Sequence, residues 1–184
     1  KTVSKLHALE FPELLKMAKA LHGTTPKLKR FPKALGHFRG KTGVPVSQIA
    51  LHPDIFKDPV LAAKVFAHEI GHGHDFLPDL TLKRGNLVGS IASLNKFMRR
   101  KYTGEGGEVD NKVLRTELKA LSQKWKPFDE TINPAYTAYR YSARELYADA
   151  ISVLYNDPAL LKQEAPSFFS DFFNYIDEKP EVRD

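Results

Sequence analysis

Apolar residues fall at helical spacing in six stretches of the chain. From Pro12, the positions Leu14, Leu15, Met17, Ala18 and Leu21 share one face and Gly23 follows. Proline in a first turn and glycine past a last one are the expected helix punctuation. Val44 to His52 (VPVSQIALH) reads instead as a short strand closed by Pro53. Asp58-Pro59 reads as an N-cap with proline at the first helical position, opening a helix with Val60, Leu61, Val65 and Phe66 that ends at Gly71 and Gly73. Asn86 is placed to cap a helix through Leu87, Val88, Ile91, Leu94, Phe97 and Met98, and residues 102–110 read as a loop. An amphipathic helix from Asn111 carries Val113, Leu114, Leu118, Leu121 and Trp125 on its apolar side, and Pro127 stops it. Ser142 and Glu145 form a Ser-x-x-Glu start for a helix that stops before Asp157-Pro158. A last helix near Pro166 carries Phe168, Phe169, Phe172, Phe173 and Ile176. The pattern predicts a helix-rich α+β fold with a short strand ahead of the helix at 59–73, and contains no internal repeat.

Length sets the scale. A chain of 184 residues suits one domain, expected to span 1–184: an N-terminal part to about 76, a helical insertion over 77–133, and C-terminal helices over 134–184. A domain of this size needs no metal or disulfide to fold, so a metal would be present for chemistry. With 27% charged and 42% hydrophobic residues the chain is globular in balance rather than disordered. It has no cysteine, which excludes a thiol nucleophile and every cysteine-based metal or iron–sulfur site. No apolar run reaches membrane-span length and no signal peptide opens the chain, so no membrane partner is expected. Lys1 in place of a starting methionine reads as a processed chain or an excised domain. The net charge is +6, and residues 24–43 are basic without an acid. This stretch lacks a nucleic-acid motif and reads as a solvated face; nucleic acid is not the expected partner.

The chemistry is concentrated in His68-Glu69-Ile70-Gly71-His72. Residues four apart share one helical face, so both imidazoles can reach one ion. Zinc takes neutral imidazole nitrogen at about 2.0–2.1 Å and lowers the pKa of a bound water to about 7. Glu69 stands beside that face, placed to activate the water as general base. A catalytic zinc needs a third protein ligand and an open position. Asp75 offers one, three residues after His72; Glu145 offers another. Glu145 is preferred because Asp149, one turn later, can accept a hydrogen bond from the far nitrogen of a ligand histidine and orient the ring. Asp75 is then an outer partner or a helix-end residue. His74 points off the metal face, and His7, His22, His37 and His52 have no partner at ligand spacing. Arg140 and Arg144 read as surface residues, and Arg99-Arg100-Lys101 as cations favoured at a helix C-terminus.

These two motifs together resemble the gluzincin-type zinc metallopeptidases, and within them the family of the anthrax lethal factor catalytic domain. The resemblance lies in His68 to His72, in Tyr139 through Glu145 to Ala150, and in Ala165-Pro166 with the aromatic helix after it, about half the chain. It implies a zincin-like fold and peptide-bond hydrolysis of a polypeptide substrate. One Zn2+ would be held by His68, His72 and Glu145, with Glu69 as general base. The family places an oxyanion-supporting tyrosine seven residues before the glutamate ligand. Here that position is Ala138, and Tyr139 and Tyr141 stand six and four residues before Glu145. Tyr139 is the first choice for the role and Tyr141 the second. The strand ending near His52 would pair with an extended substrate by edge addition. Two alternatives are an ImmA-like protease of one dedicated regulator and a zincin-shaped binding module without turnover. A basic nucleic-acid-binding domain is a third reading, marked by salt-dependent binding.

Overall fold

A computed structural model of the chain describes residues 8–23, 25–39, 48–76, 111–176 and 183–184. The strand start at 44–47, the helix expected from Asn86, the loop at 102–110, Arg99 to Lys101 and His7 lie outside the described residues, as do the side chains of His22 and Asp75. Within them the chain is a helix-rich α+β structure of seven helices and a three-stranded sheet. None of these helices is long and apolar enough to cross a membrane.

Helix α1 spans Phe11–His22. The Glu10 backbone N–H donates to Glu13 Oε2 at 2.8 Å, and Gly23 closes the helix at φ 67°, where glycine is free of Cβ strain. The sheet holds β1 (Lys27–Leu28), β2 (Gly36–Arg39) and β3 (Gln48–Leu51) in the order β1-β3-β2. Strand β3 runs parallel to β1 and antiparallel to β2, with Ala50 opposite both Lys27 and His37. Thus β3 is the middle strand, paired with β2 over Gln48 to Leu51 and with β1 at Ala50 and Leu51. The end of β3 toward His52 is thus already paired on both sides, and the edge strands among the described residues are β1 and β2. The basic stretch forms β1 and β2, whose mostly exposed residues offer no apolar alternation to reveal them.

A 3-10 helix at Pro53–Lys57 leads into α2, Pro59–Phe76. His52 caps the former, its Nδ1 accepting from the Asp54 N–H at 3.1 Å. Asp58 caps α2, its Oδ1 accepting from Val60 and Leu61 at 2.9 and 3.2 Å. The helix runs through Gly71 and Gly73 rather than ending there. A Cβ on Gly71 would stand 3.0 Å from Ala148 Cα, so this glycine serves close helix packing and not termination. Leu14, Ile49, Leu51, Ile55, Val65, Phe66 and Ile70 form the N-terminal core.

The second half packs α3 (Asn111–Trp125), α4 (Pro134–Arg140), α5 (Ala143–Asn156), α6 (Pro158–Glu164) and α7 (Pro166–Ile176). Leu114, Leu118 and Leu121 of α3 join Leu146, Ile151, Leu161, Phe168 and Phe172 in its core. Val113 is exposed, contrary to its assignment to the apolar side. Glu117 caps α7 from across the core, accepting from Ser167 N–H at 3.1 Å. Among the described residues the most extensive contact joins α2 to α5. It is tied further by Ser152, which accepts from Trp125 Nε1 at 3.1 Å and donates to the Lys64 carbonyl at 2.7 Å.

Candidate metal centre

His68 and His72 lie one turn apart on α2, with their ring centroids 4.8 Å apart and the rings perpendicular. Glu145 reaches them from the first turn of α5. Ser142 caps that helix through the Glu145 N–H, at 3.4 Å, which leaves the Glu145 carboxylate free to join the histidines. Its Oε2 lies 3.1 Å from His68 Nε2 and its Oε1 3.5 Å from His72 Nε2. Ligand atoms in a tetrahedral site with bonds of about 2.0–2.1 Å are about 3.3 Å apart, so these spacings fit one ion. The three groups can hold a metal ion, each within 4.8 Å of the others. Two imidazole nitrogens and a carboxylate suit zinc and other first-row dications.

Asp149 stands behind His68, its Oδ1 2.8 Å from Nδ1. This is the outer contact expected from the Glu-x-x-x-Asp spacing, and it leaves Nε2 directed at Glu145. The other Asp149 oxygen accepts from Ser122 Oγ at 2.6 Å and from Arg140 Nη2 at 3.4 Å, while Lys126 Nζ lies 3.8 Å from Oδ1. Arg140 is 5% exposed, so its assignment to the surface was wrong: the guanidinium is buried over the Phe128 ring at 4.6 Å. Arg144 is half exposed, as assigned, with Nε 3.5 Å from Glu145 Oε1.

Glu69 is buried on the same helix, and the Phe38 N–H of β2 donates to it. Gly36 makes room for that approach: a Cβ there would stand 2.6 Å from Glu69 Oε1. Burial pushes the Glu69 carboxyl up to about 7, with His68 pulling against it. For His68, burial alone favours the neutral ring, but hydrogen bonds to Asp149 and Glu145 raise it to about 9. Burial and the neighbouring His68 hold His72 down at about 3. Burial pushes Glu145 and Asp149 upward, and hydrogen bonds with His68 outweigh it, so both are held below the usual carboxylate range.

The two tyrosines separate. The Tyr139 hydroxyl donates to Glu145, and burial, together with the charge of Glu145, raises its pKa. The Tyr141 hydroxyl donates to Glu130 instead, under the Lys119 ammonium at 4.8 Å, so it is not gathered into the ligand group. His74 is buried but meets the Tyr155 hydroxyl at 3.2 Å rather than the ligands. Asp75 lies in the last turn of α2. Sequence reasoning missed Ser122, Lys126 and the β2 backbone. Ser122 left one trace, a polar residue four positions after Leu118 on an otherwise apolar stripe.

No protein-family model, no curated protein and no solved structure matches this chain.

Proposed function

We propose that the chain is a zinc-dependent endopeptidase of zincin-like fold and gluzincin type, with one Zn2+ held by His68, His72 and Glu145. The observation that supports it is the position of Glu69. It is buried one residue from a ligand, held by a strand N–H, and raised to about 7, the range suited to a group that both takes and returns a proton. A solvated glutamate on a surface helix would have none of these properties.

Zinc held by His68, His72 and Glu145 would supply Lewis acidity, for activating water and polarising a carbonyl. Glu69 takes the proton of the attacking water and delivers it to the leaving amine. The Tyr139 hydroxyl sits at Glu145 on a half-exposed side chain and turns to donate where negative charge develops on the carbonyl oxygen. Because β2 is an edge strand lying against Glu69, an extended polypeptide substrate pairs with β2.

The test is cleavage of a diverse peptide library by zinc-loaded protein beside Glu69→Gln. The variant should keep its zinc and lose cutting. Cutting that survives Glu69→Gln refutes the mechanism. Cutting confined to one regulator identifies the ImmA-like alternative, and tightly bound zinc with no turnover of any protein identifies the binding module.

A further inference from the structure

The outer partner of His68 is itself held from two other helices. Asp149 uses Oδ1 for His68, with Lys126 Nζ 3.8 Å away, and its other oxygen makes the hydrogen bonds that fix the carboxylate plane. That oxygen accepts from Ser122 Oγ, on α3, at 2.6 Å. Arg140, the last residue of α4, brings Nη2 to 3.0 Å from the same Ser122 Oγ and 3.4 Å from Asp149 Oδ2. The same nitrogen donates to the Lys126 carbonyl at 3.0 Å, where the end of α3 leaves backbone acceptors unpaired. Arg140 thereby ties the C-terminus of α3 to Asp149. It also anchors α4 next to Tyr139, whose hydroxyl reaches Glu145. All three polar side chains of this network are almost fully buried: Ser122 at 0%, Asp149 at 1% and Arg140 at 5% exposure. A buried guanidinium and carboxylate are costly to desolvate and replaceable by apolar side chains where they serve stability alone.

We infer that Ser122 and Arg140 are positioning residues of the metal centre, holding Asp149 so that it orients His68 toward the ion. Helices α3 and α4 then belong to the site and are not an appendage to it. The inference rests on the metal-centre reading, and the two can fail separately. Neither residue touches a ligand atom, so their influence runs through Asp149.

Zinc affinity is measured by chelator competition on the full chain, with the visible spectrum of the cobalt-substituted protein as a second readout. Ser122→Ala and Arg140→Met are each expected to weaken zinc binding about 10- to 100-fold, the usual loss when an outer partner of a ligand is removed. Arg140→Lys, which keeps the charge, recovers part of that loss. In an Asp149→Asn background, Ser122→Ala should add less than about twofold, because the path is already cut. Glu117→Gln, which weakens the α7 cap, is the control for general destabilisation and should leave affinity and spectrum unchanged. If Arg140→Met does not fold, Ser122→Ala decides. Wild-type affinity in Ser122→Ala and in a folded Arg140→Met overturns the inference while the metal centre stands. So do losses that multiply fully with Asp149→Asn. A wild-type chain that takes up no stoichiometric zinc removes the metal centre itself, and the inference with it.

Discussion

Zinc binding should be coupled to a proton on His68, and the coupling should extend to unusually high pH. Its Nδ1 faces Asp149 at 2.8 Å and its Nε2 faces Glu145 at 3.1 Å, so each ring nitrogen meets a carboxylate. Burial opposes the charged ring, but the two hydrogen bonds carry the pKa up to about 9, against an ordinary 6.5. The difference corresponds to about 3 kcal/mol of preference for the imidazolium. A metal ligand must be unprotonated, so the ion competes with this proton. The pKa is raised, so the proton stays through neutral pH and leaves only as pH approaches 9; affinity therefore increases with pH across that window. His72, held down at about 3, and Glu145, held below the carboxylate range, are already in ligand form and contribute no slope. The apparent zinc affinity should rise about 25-fold between about pH 7.0 and 8.5, where an imidazole of ordinary pKa would give a rise of less than about twofold. The assay is chelator competition on Glu69→Gln, which removes the carboxyl that titrates near 7 in the same window. Asp149→Asn should move the rise to lower pH. A change below about twofold over that range in Glu69→Gln would refute the reasoning.

Three substitutions probe the remaining assignments. Tyr139→Phe should lower kcat about 100-fold with zinc affinity unchanged, the scale of losing one donor to a developing oxyanion; steady-state kinetics on a cleaved peptide checks it. Tyr141→Phe removes hydrogen bonds with Glu130 and Gln123 away from the ligands and should leave kcat within about twofold, with a small loss of stability in urea unfolding. Gly71→Ala should destabilise by up to about 2 kcal/mol in the same unfolding assay, because about 1–3 kcal/mol of overpacking against the α5 backbone is set against a helix-propensity gain of about 1 kcal/mol; higher stability would mean that α2 and α5 can part without loss.

What could be read in advance was local. Asp58, Ser142 and Gly23 mark helix ends because a cap depends on its own neighbours, and all three stand at those ends. Helices α4 and α6 have the same Asn-Pro and Asp-Pro starts, with Asn133 and Asp157 capping them, but at seven residues each is too short to develop an apolar period. The strands β1 and β2 are short and mostly exposed, so neither burial nor alternation announces them. Gly71 misled because a glycine at a helix crossing and a glycine ending a helix look alike until the partner helix is known. In the site, His68, His72, Glu145 and Asp149 could be paired because four-residue spacing puts each pair on one face. Ser122, Arg140 and the Phe38 N–H reach the site only through tertiary packing, so spacing along the chain carries no trace of their partners.

The burial of charge around these residues argues for a dication more strongly than the motif does. Glu69, Glu145 and Asp149 are each at most 6% exposed, and Arg140 is the one buried arginine or lysine beside them among the described residues. Lys126 and Arg144 approach Asp149 and Glu145 at 3.8 and 3.5 Å but from solvent-exposed side chains, so among buried groups three carboxylates face one guanidinium. Such an imbalance is expensive in a low dielectric and must be met by protons or by a cation. The raised pKa values of His68 and Glu69 show where protons go when they serve as the counter-charge. His68, His72 and Glu145 could hold one divalent ion, whose charge would stand in for both protons. Glu69 would then stand ionised beside it, and Arg140 and Ser122 would hold Asp149 ionised behind His68. A fold selected for stability alone would have no reason to gather these charges where α2 and α5 pack closest. An ion that both helices must reach supplies that reason, and Gly71 supplies the close approach.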